Sequence, residues 1–121
     1  MKNETDNALL VKSFAFALRI IEVYQLLRDE LNEIDLAKQI LRSGTSIGAN
    51  AEEAIGGHPG NDFFTKITTA YKESQETKYW LRLLHESKIL GNDISNSLIE
   101  DVDELLRITG SILKNTKPNI E

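Results

Sequence analysis

The sequence predicts an all-α protein, an up-down-up-down antiparallel four-helix bundle that assembles into a homo-oligomer. Apolar residues recur at three- and four-residue spacing along almost the whole chain, and no window shows sustained strand alternation. The breaks between the periodic stretches are short, which places consecutive helices antiparallel to one another. A chain of 121 residues can form one domain with a core of its own.

The first helix is expected over residues 7–30, with Leu10, Phe14, Ala17, Ile21 and Tyr24 toward the core and Leu31 at its end. The second is expected over 35–56. Asp35 is its candidate N-cap, and its seam is Ala37, Ile40, Gly44, Ile47, Ala51 and Ala54. Gly56, Gly57 and Pro59 end it, because Pro biases the preceding residue away from helix. The third, over 61–90, carries Phe63, Ile67, Ala70, Ser74, Thr77, Leu81 and Leu84 and stops at Gly91 and Asn92. The fourth, over 94–114, opens on a Ser97–Glu100 capping box and buries Leu98, Val102, Leu105, Thr109 and Ile112. Beyond Lys114 the tail, with Pro118, is expected to fray.

Residues 41–54 are an energetic oddity inside this pattern. Two interior glycines, Gly44 and Gly48, cost roughly 1 kcal/mol each relative to Ala. Gly44, Ile47, Gly48, Ala51 and Ala54 share one side of a helix, a thin helix-packing stripe that lets a neighbouring backbone approach. The slim centre of the third helix, at Ala70, Ser74 and Thr77, makes that helix the expected neighbour. A polar line of Arg42, Ser46, Asn50 and Glu53 borders the stripe, and Arg42 is expected to reach Glu73 or Glu76.

The first helix has more apolar surface than one core stripe needs. With Phe14 and Ile21 turned inward, Phe16, Arg19, Val23 and Leu26 fall on another side and are the expected oligomer interface.

Several chemistries are disfavoured. The chain has no Cys, which removes disulfides and thiol nucleophiles and fits a reducing cytoplasm. The polar, acidic N-terminus does not read as a signal peptide, and the apolar run from Phe14 to Leu27 is too short and interrupted to span a bilayer. A cytoplasmic protein with no membrane contact is expected. Gly44-Thr45-Ser46-Ile47-Gly48 matches a nucleophile elbow, but no strand precedes it. His58 and His85 have no carboxylate at ligand spacing, so no metal is expected. The acidic run Glu100, Asp101, Asp103 and Glu104 reads as a solvated face. Asn3-Glu4-Thr5 forms a glycosylation sequon without meaning in the cytoplasm. Neither catalysis, a cofactor nor a small-molecule substrate is expected.

The segment Lys38-Gln39-Ile40-Leu41-Arg42-Ser43, followed by Thr45-Ser46-Ile47-Gly48-Ala49-Asn50, carries a resemblance. So do Asp62-Phe63 and Lys72-Glu73-x-x-Glu76-Thr77-x-Tyr79-Trp80-Leu81. Together these motifs, across most of the chain, resemble the four-helix-bundle proteins encoded in 23S ribosomal-RNA intervening sequences, a bacterial, ribosomal protein-like family. The resemblance implies a homopentameric barrel. It also implies kinship with the accessory protein of diversity-generating retroelements, a basic pentamer that binds nucleic acid and a reverse transcriptase.

Two functional classes follow. One is an RNA- or ribonucleoprotein-associated protein whose oligomer gathers Lys66, Lys72, Lys78, Arg82 and Lys88 from several copies; Tyr79 and Trp80 could stack on bases, but in mid-helix they are expected to serve core or subunit packing. The other is a protein-binding scaffold without nucleic-acid contact. The formal net charge of −5 opposes non-specific RNA binding, although residues 61–90 hold a slight basic excess.

Overall fold

The computed structural model describes residues 3–57 and 61–116. Four helices occupy nearly all of them: α1 (Glu4–Asp29), α2 (Ile34–Gly56), α3 (Asn61–Glu86) and α4 (Asn92–Lys114). Each packs chiefly on its sequence neighbours, and a thinner α1–α4 contact closes the ring. This is a sequential up-down bundle. The His58-Pro59 loop and the Pro118 tail lie outside the described residues.

The seams of α2 and α4 are buried as their periodicity requires. On α2 these are Ala37, Ile40, Gly44, Ile47, Ala51 and Ala54; on α4 they are Leu98, Val102, Leu105, Thr109 and Ile112. On α3, Ile67, Ala70, Ser74, Thr77, Leu81 and Leu84 are buried and Phe63 is half-buried. The polar members of these seams are satisfied locally. Ser74 donates to Ala70 O at 2.8 Å and Thr109 to Leu105 O at 2.8 Å.

On α1 the expected inward face is wrong. Leu9, Ser13, Phe16, Ile20, Val23 and Leu27 form the core stripe, and Phe16 and Val23 are only 2% and 5% exposed. They belong to the chain's own core and are unavailable as an oligomer interface. Phe14 and Ile21, expected inside, are 62% and 40% exposed. Two residues along a helix turn the side chain by about 200°, so Phe14 and Phe16 necessarily point opposite ways. Ala17, Tyr24 and Leu26 are half-buried at the flanks, Arg19 pairs with α4, and Leu31 lies past the helix end.

The two glycines of the small-residue stripe face α1 rather than the expected α3. A Cβ built on Gly44 would lie 2.7 Å from Ile20 Cγ1, and one on Gly48 would lie 3.3 Å from Ser13 Oγ. The α2–α3 contact is instead tied by hydroxyls. Thr77 Oγ1 lies 2.7 Å from Glu73 O and 3.0 Å from Ser43 Oγ, with both residues fully buried. A hydroxyl has one hydrogen, so Thr77 donates to the carbonyl and Ser43 donates to Thr77.

The helix ends differ from expectation because other residues cap them. Asn3 is the N-cap of α1, its Oδ1 accepting from Asp6 N at 2.7 Å, so the helix begins at Glu4 and the sequon is a cap. The N-cap position of α2 is Glu33, and Asp35 sits in the first turn. α3 stops at Glu86 because Lys88 adopts φ 65°, and Ile89 N and Leu90 N return to Leu84 O. This return buries Leu90. α4 starts at Asn92 after Gly91, placing Ser97 and Glu100 inside the helix rather than in a capping box.

Candidate functional site

The polar border of α2 resolves into separate units along α3. Arg42 Nη1 donates to Glu73 Oε1 at 3.2 Å and Arg42 Nη2 to Glu76 Oε2 at 2.5 Å. The second glutamate also accepts from Trp80 Nε1 at 3.0 Å, which fixes the indole against the helix. One turn of helix separates the two carboxylates, so a single guanidinium fork can take both. These bonds hold the Glu76 carboxyl below its ordinary range, the arginine contributing most and the indole next. Farther along, Lys66 Nζ pairs with Glu53 Oε1 at 2.8 Å, and Asn50 Nδ2 donates to Ser46 O at 2.9 Å. Ser46 Oγ is buried mid-helix without a hydrogen-bond partner among the described residues. Lying in the middle of α2, it is not on the strand-to-helix turn that a nucleophile elbow requires.

The acidic run of α4 is not simply solvated. Asp101 accepts from Arg19 at 2.6 Å and Glu104 pairs with Lys12 at 3.1 Å, both across to α1. Asp103 pairs with Lys78 at 2.7 Å, across to α3. The helix therefore clamps both neighbours. Of the candidate nucleic-acid contacts, Lys66 and Lys78 are thus neutralised by partners. Lys72, Arg82 and Lys88 are exposed and form no ion pair among the described residues. Lys72 and Arg82 stand about 15 Å apart along α3, with 52%-exposed Tyr79 between them. At the α3–α4 turn, Ser95 Oγ donates to Gly91 O at 2.9 Å and lies 2.7 Å from His85 Nδ1. Nδ1 is therefore the donor to Ser95, and this histidine links two helices.

The outer face of α1 is the largest feature that the sequence reading placed wrongly. Val11, Phe14, Leu18 and Ile21 are 67%, 62%, 53% and 40% exposed. Their spacing puts them on one stripe, opposite the core stripe. Val11 and Leu18 were not among the expected interface residues. A usable signal existed in the sequence. Apart from Ser13, the core stripe is apolar out to Leu9 and Leu27 at its two ends, whereas the outer one passes into Asn7 and Gln25.

The sequence matches the model of the family described as 23S rRNA-intervening sequence protein over residues 5–111. The chain belongs to this family. A crystal structure of a protein of unknown function from the S23 ribosomal protein family of Bacteroides thetaiotaomicron VPI-5482 is similar to it. The two are 42% identical, with a TM-score of 0.87, over 91% of this chain and 98% of the other. No curated protein matches the chain.

The motifs that resemble the 23S rRNA-intervening sequence protein family concentrate on the α2–α3 contact and hold it together. Ser43 and Thr77 join in the interior, and Arg42, Glu73, Glu76 and Trp80 join at the rim. Among the described residues no helix is long and apolar enough to cross a membrane. Arg42→Met is expected to cost about 1 kcal/mol at neutral pH while the protein stays folded, because the Arg42 side chain is 51% exposed. Glu76 is depressed below its usual 4.5, so its stabilisation is present above that value and lost as pH falls through the folded pKa. The penalty of Arg42→Met should therefore be full at pH 7 and shrink below about pH 4.5. Urea unfolding of both proteins across that range measures it.

Proposed function

We propose that this chain is a non-enzymatic scaffold that self-associates through the outer face of α1 and presents the remaining helices to a protein partner. The exposed apolar stripe Val11, Phe14, Leu18 and Ile21 carries this reading. Four large apolar side chains aligned on one helix mark an association surface rather than ordinary scatter. The charge pattern favours a protein partner over RNA. Net charge is −5, and internal carboxylates already hold Lys66 and Lys78. Light scattering should give a mass well above the 13.6 kDa chain at micromolar concentration; a monomer would remove the reading. The homopentamer implied by the family resemblance is one such assembly.

The second reading, an RNA-associated protein, rests on the exposed Lys72, Tyr79 and Arg82 of α3. Salt dependence separates the two. RNA binding through these cations lowers affinity steeply as salt rises, with a log–log slope of about −0.7 per neutralised phosphate on a single strand. A scaffold has no RNA affinity from which to measure such a slope.

A further inference from the structure

Exposed apolar side chains gather at one end of the bundle as well as along α1. Among the described residues, Leu31, Ile34, Leu83 and Ile94 are 38%, 51%, 40% and 43% exposed. Leu31 lies in the α1–α2 connection, Ile34 opens α2, Leu83 stands in the last turn of α3 and Ile94 in the first turn of α4. An up-down bundle brings both connections to the same end. Neighbouring helix axes lie about 8–10 Å apart, so these side chains surround an end face about 20 Å across. The same end holds most of the chain's negative charge. Residues 28–35 and 85–94 carry six carboxylates against Arg28 and Lys88, a net charge of −4 out of −5 for the whole chain. Arg28 is already held by Asp29 and lies over the Tyr24 ring. Beside His85 and Leu90, an open recess of about 350 Å³ adds depth.

Resting on the reading of this chain as a scaffold for a protein partner, we propose that this end docks a basic amphipathic helix of that partner. Its apolar face covers Ile34 and Ile94, and its lysines or arginines meet Glu30, Glu33 and Glu86 at the rim. Opposite potentials favour and orient such a contact. The same field repels RNA and anionic lipid surfaces. Exposed leucine and isoleucine call for an apolar counterpart, which a purely ionic ligand lacks. A helix of about 18 residues is about 27 Å long and crosses the whole end face. Laying its apolar side on an apolar surface is a recurrent mode of peptide recognition.

The probe is a fluorescent helical peptide of about 18 residues, lysine on one face and leucine on the other, followed by anisotropy. The protein should bind it at least about tenfold more tightly than a scrambled peptide of equal charge or one with glutamate for lysine. Ile34→Ser with Ile94→Ser should weaken binding about tenfold or more. Both side chains are exposed, so helicity and the mass from light scattering should not change. Glu30→Gln with Glu86→Gln should weaken binding several-fold, whereas the remote exposed pair Glu52→Gln with Glu100→Gln should change it less than about twofold. Equal binding of the three peptides, or an unaltered affinity in the isoleucine double variant, overturns the proposal. So does a fall of that variant to monomers, which would make this end a contact between copies. An assembled protein that ignores the peptide loses this docking end and keeps self-association; a monomer that binds it through this end loses self-association alone.

Discussion

Replacing Gly44 with valine is expected to cost about 3 kcal/mol and lower the melting temperature by about 10 °C. A Cβ at this position falls 2.7 Å and 2.9 Å from Ile20 Cγ1 and Cγ2. Both atoms are bonded to the isoleucine Cβ, so no rotation about a distant bond relieves the overlap. Ile20 is itself fully buried, and the α1 backbone would have to retreat. Gly44→Ala shares the clash but regains about 1 kcal/mol of helix propensity, so it should lose less. Gly48 is different. Its nearest neighbours are Ser13 Oγ at 3.3 Å and Ser13 O at 3.4 Å, tight but tolerable, and Gly48→Ala should stay within about 1 kcal/mol of wild type. Denaturant unfolding followed by helicity separates the three variants. Adding Ile20→Ala to Gly44→Val should recover at least about 1 kcal/mol relative to the sum of the single changes. Strict additivity would show that Ile20 is not what the glycine accommodates.

The same contact shows where sequence reasoning succeeds and where it stops. A glycine in a helix says that something comes close, and Gly44 and Gly48 do face a neighbour. It does not say which helix, and two neighbours were available in the bundle. The seams of α2 and α4 were legible because each helix has a single apolar face, so period alone locates the core. On α1 the period is satisfied twice, by Phe16 with Ile20 and by Phe14 with Leu18. Only the continuation of each stripe to the helix ends distinguishes inside from outside. Helix ends were hidden for another reason. A lysine at φ 65° ends α3, and lysine carries no signal for that conformation.

Charge is only partly legible in a single helix. Taken alone, the acids of α4 and the lysines of α3 look like solvated or ligand-facing groups. The packing puts Asp103 beside Lys78, and Asp101 and Glu104 beside Arg19 and Lys12. Such pairs depend on which helices are neighbours, information that is absent from any one helix. Their effect on function is subtractive but small, because a cation must leave its carboxylate to bind phosphate and an exposed pair holds it by only about 1 kcal/mol or less. Surplus apolar surface is not cancelled in this way. Among the described residues, nothing in the isolated chain covers the outer stripe of α1.

On the proposed self-association through this face, Leu18→Glu is expected to give 13.6 kDa monomers. Burying a leucine contributes about 1.5–3 kcal/mol, and an unpaired carboxylate at its place adds a desolvation cost of similar or larger size. Since every copy carries the change, an affinity loss of about a thousandfold or more, equivalent to about 4 kcal/mol, is expected. The monomer should keep its helicity, because Leu18 is 53% exposed in the single chain and glutamate is a good helix former. Phe14→Glu should behave alike. Phe16→Glu, two residues away, should instead unfold the chain, since it forces a charge into a position only 2% exposed. This opposition tests the assignment of the two α1 faces directly. If Leu18→Glu unfolded the protein and Phe16→Glu merely dissociated it, the helix would be turned the other way. If the wild type assembles and Leu18→Glu leaves its mass unchanged, the outer stripe has no part in that assembly.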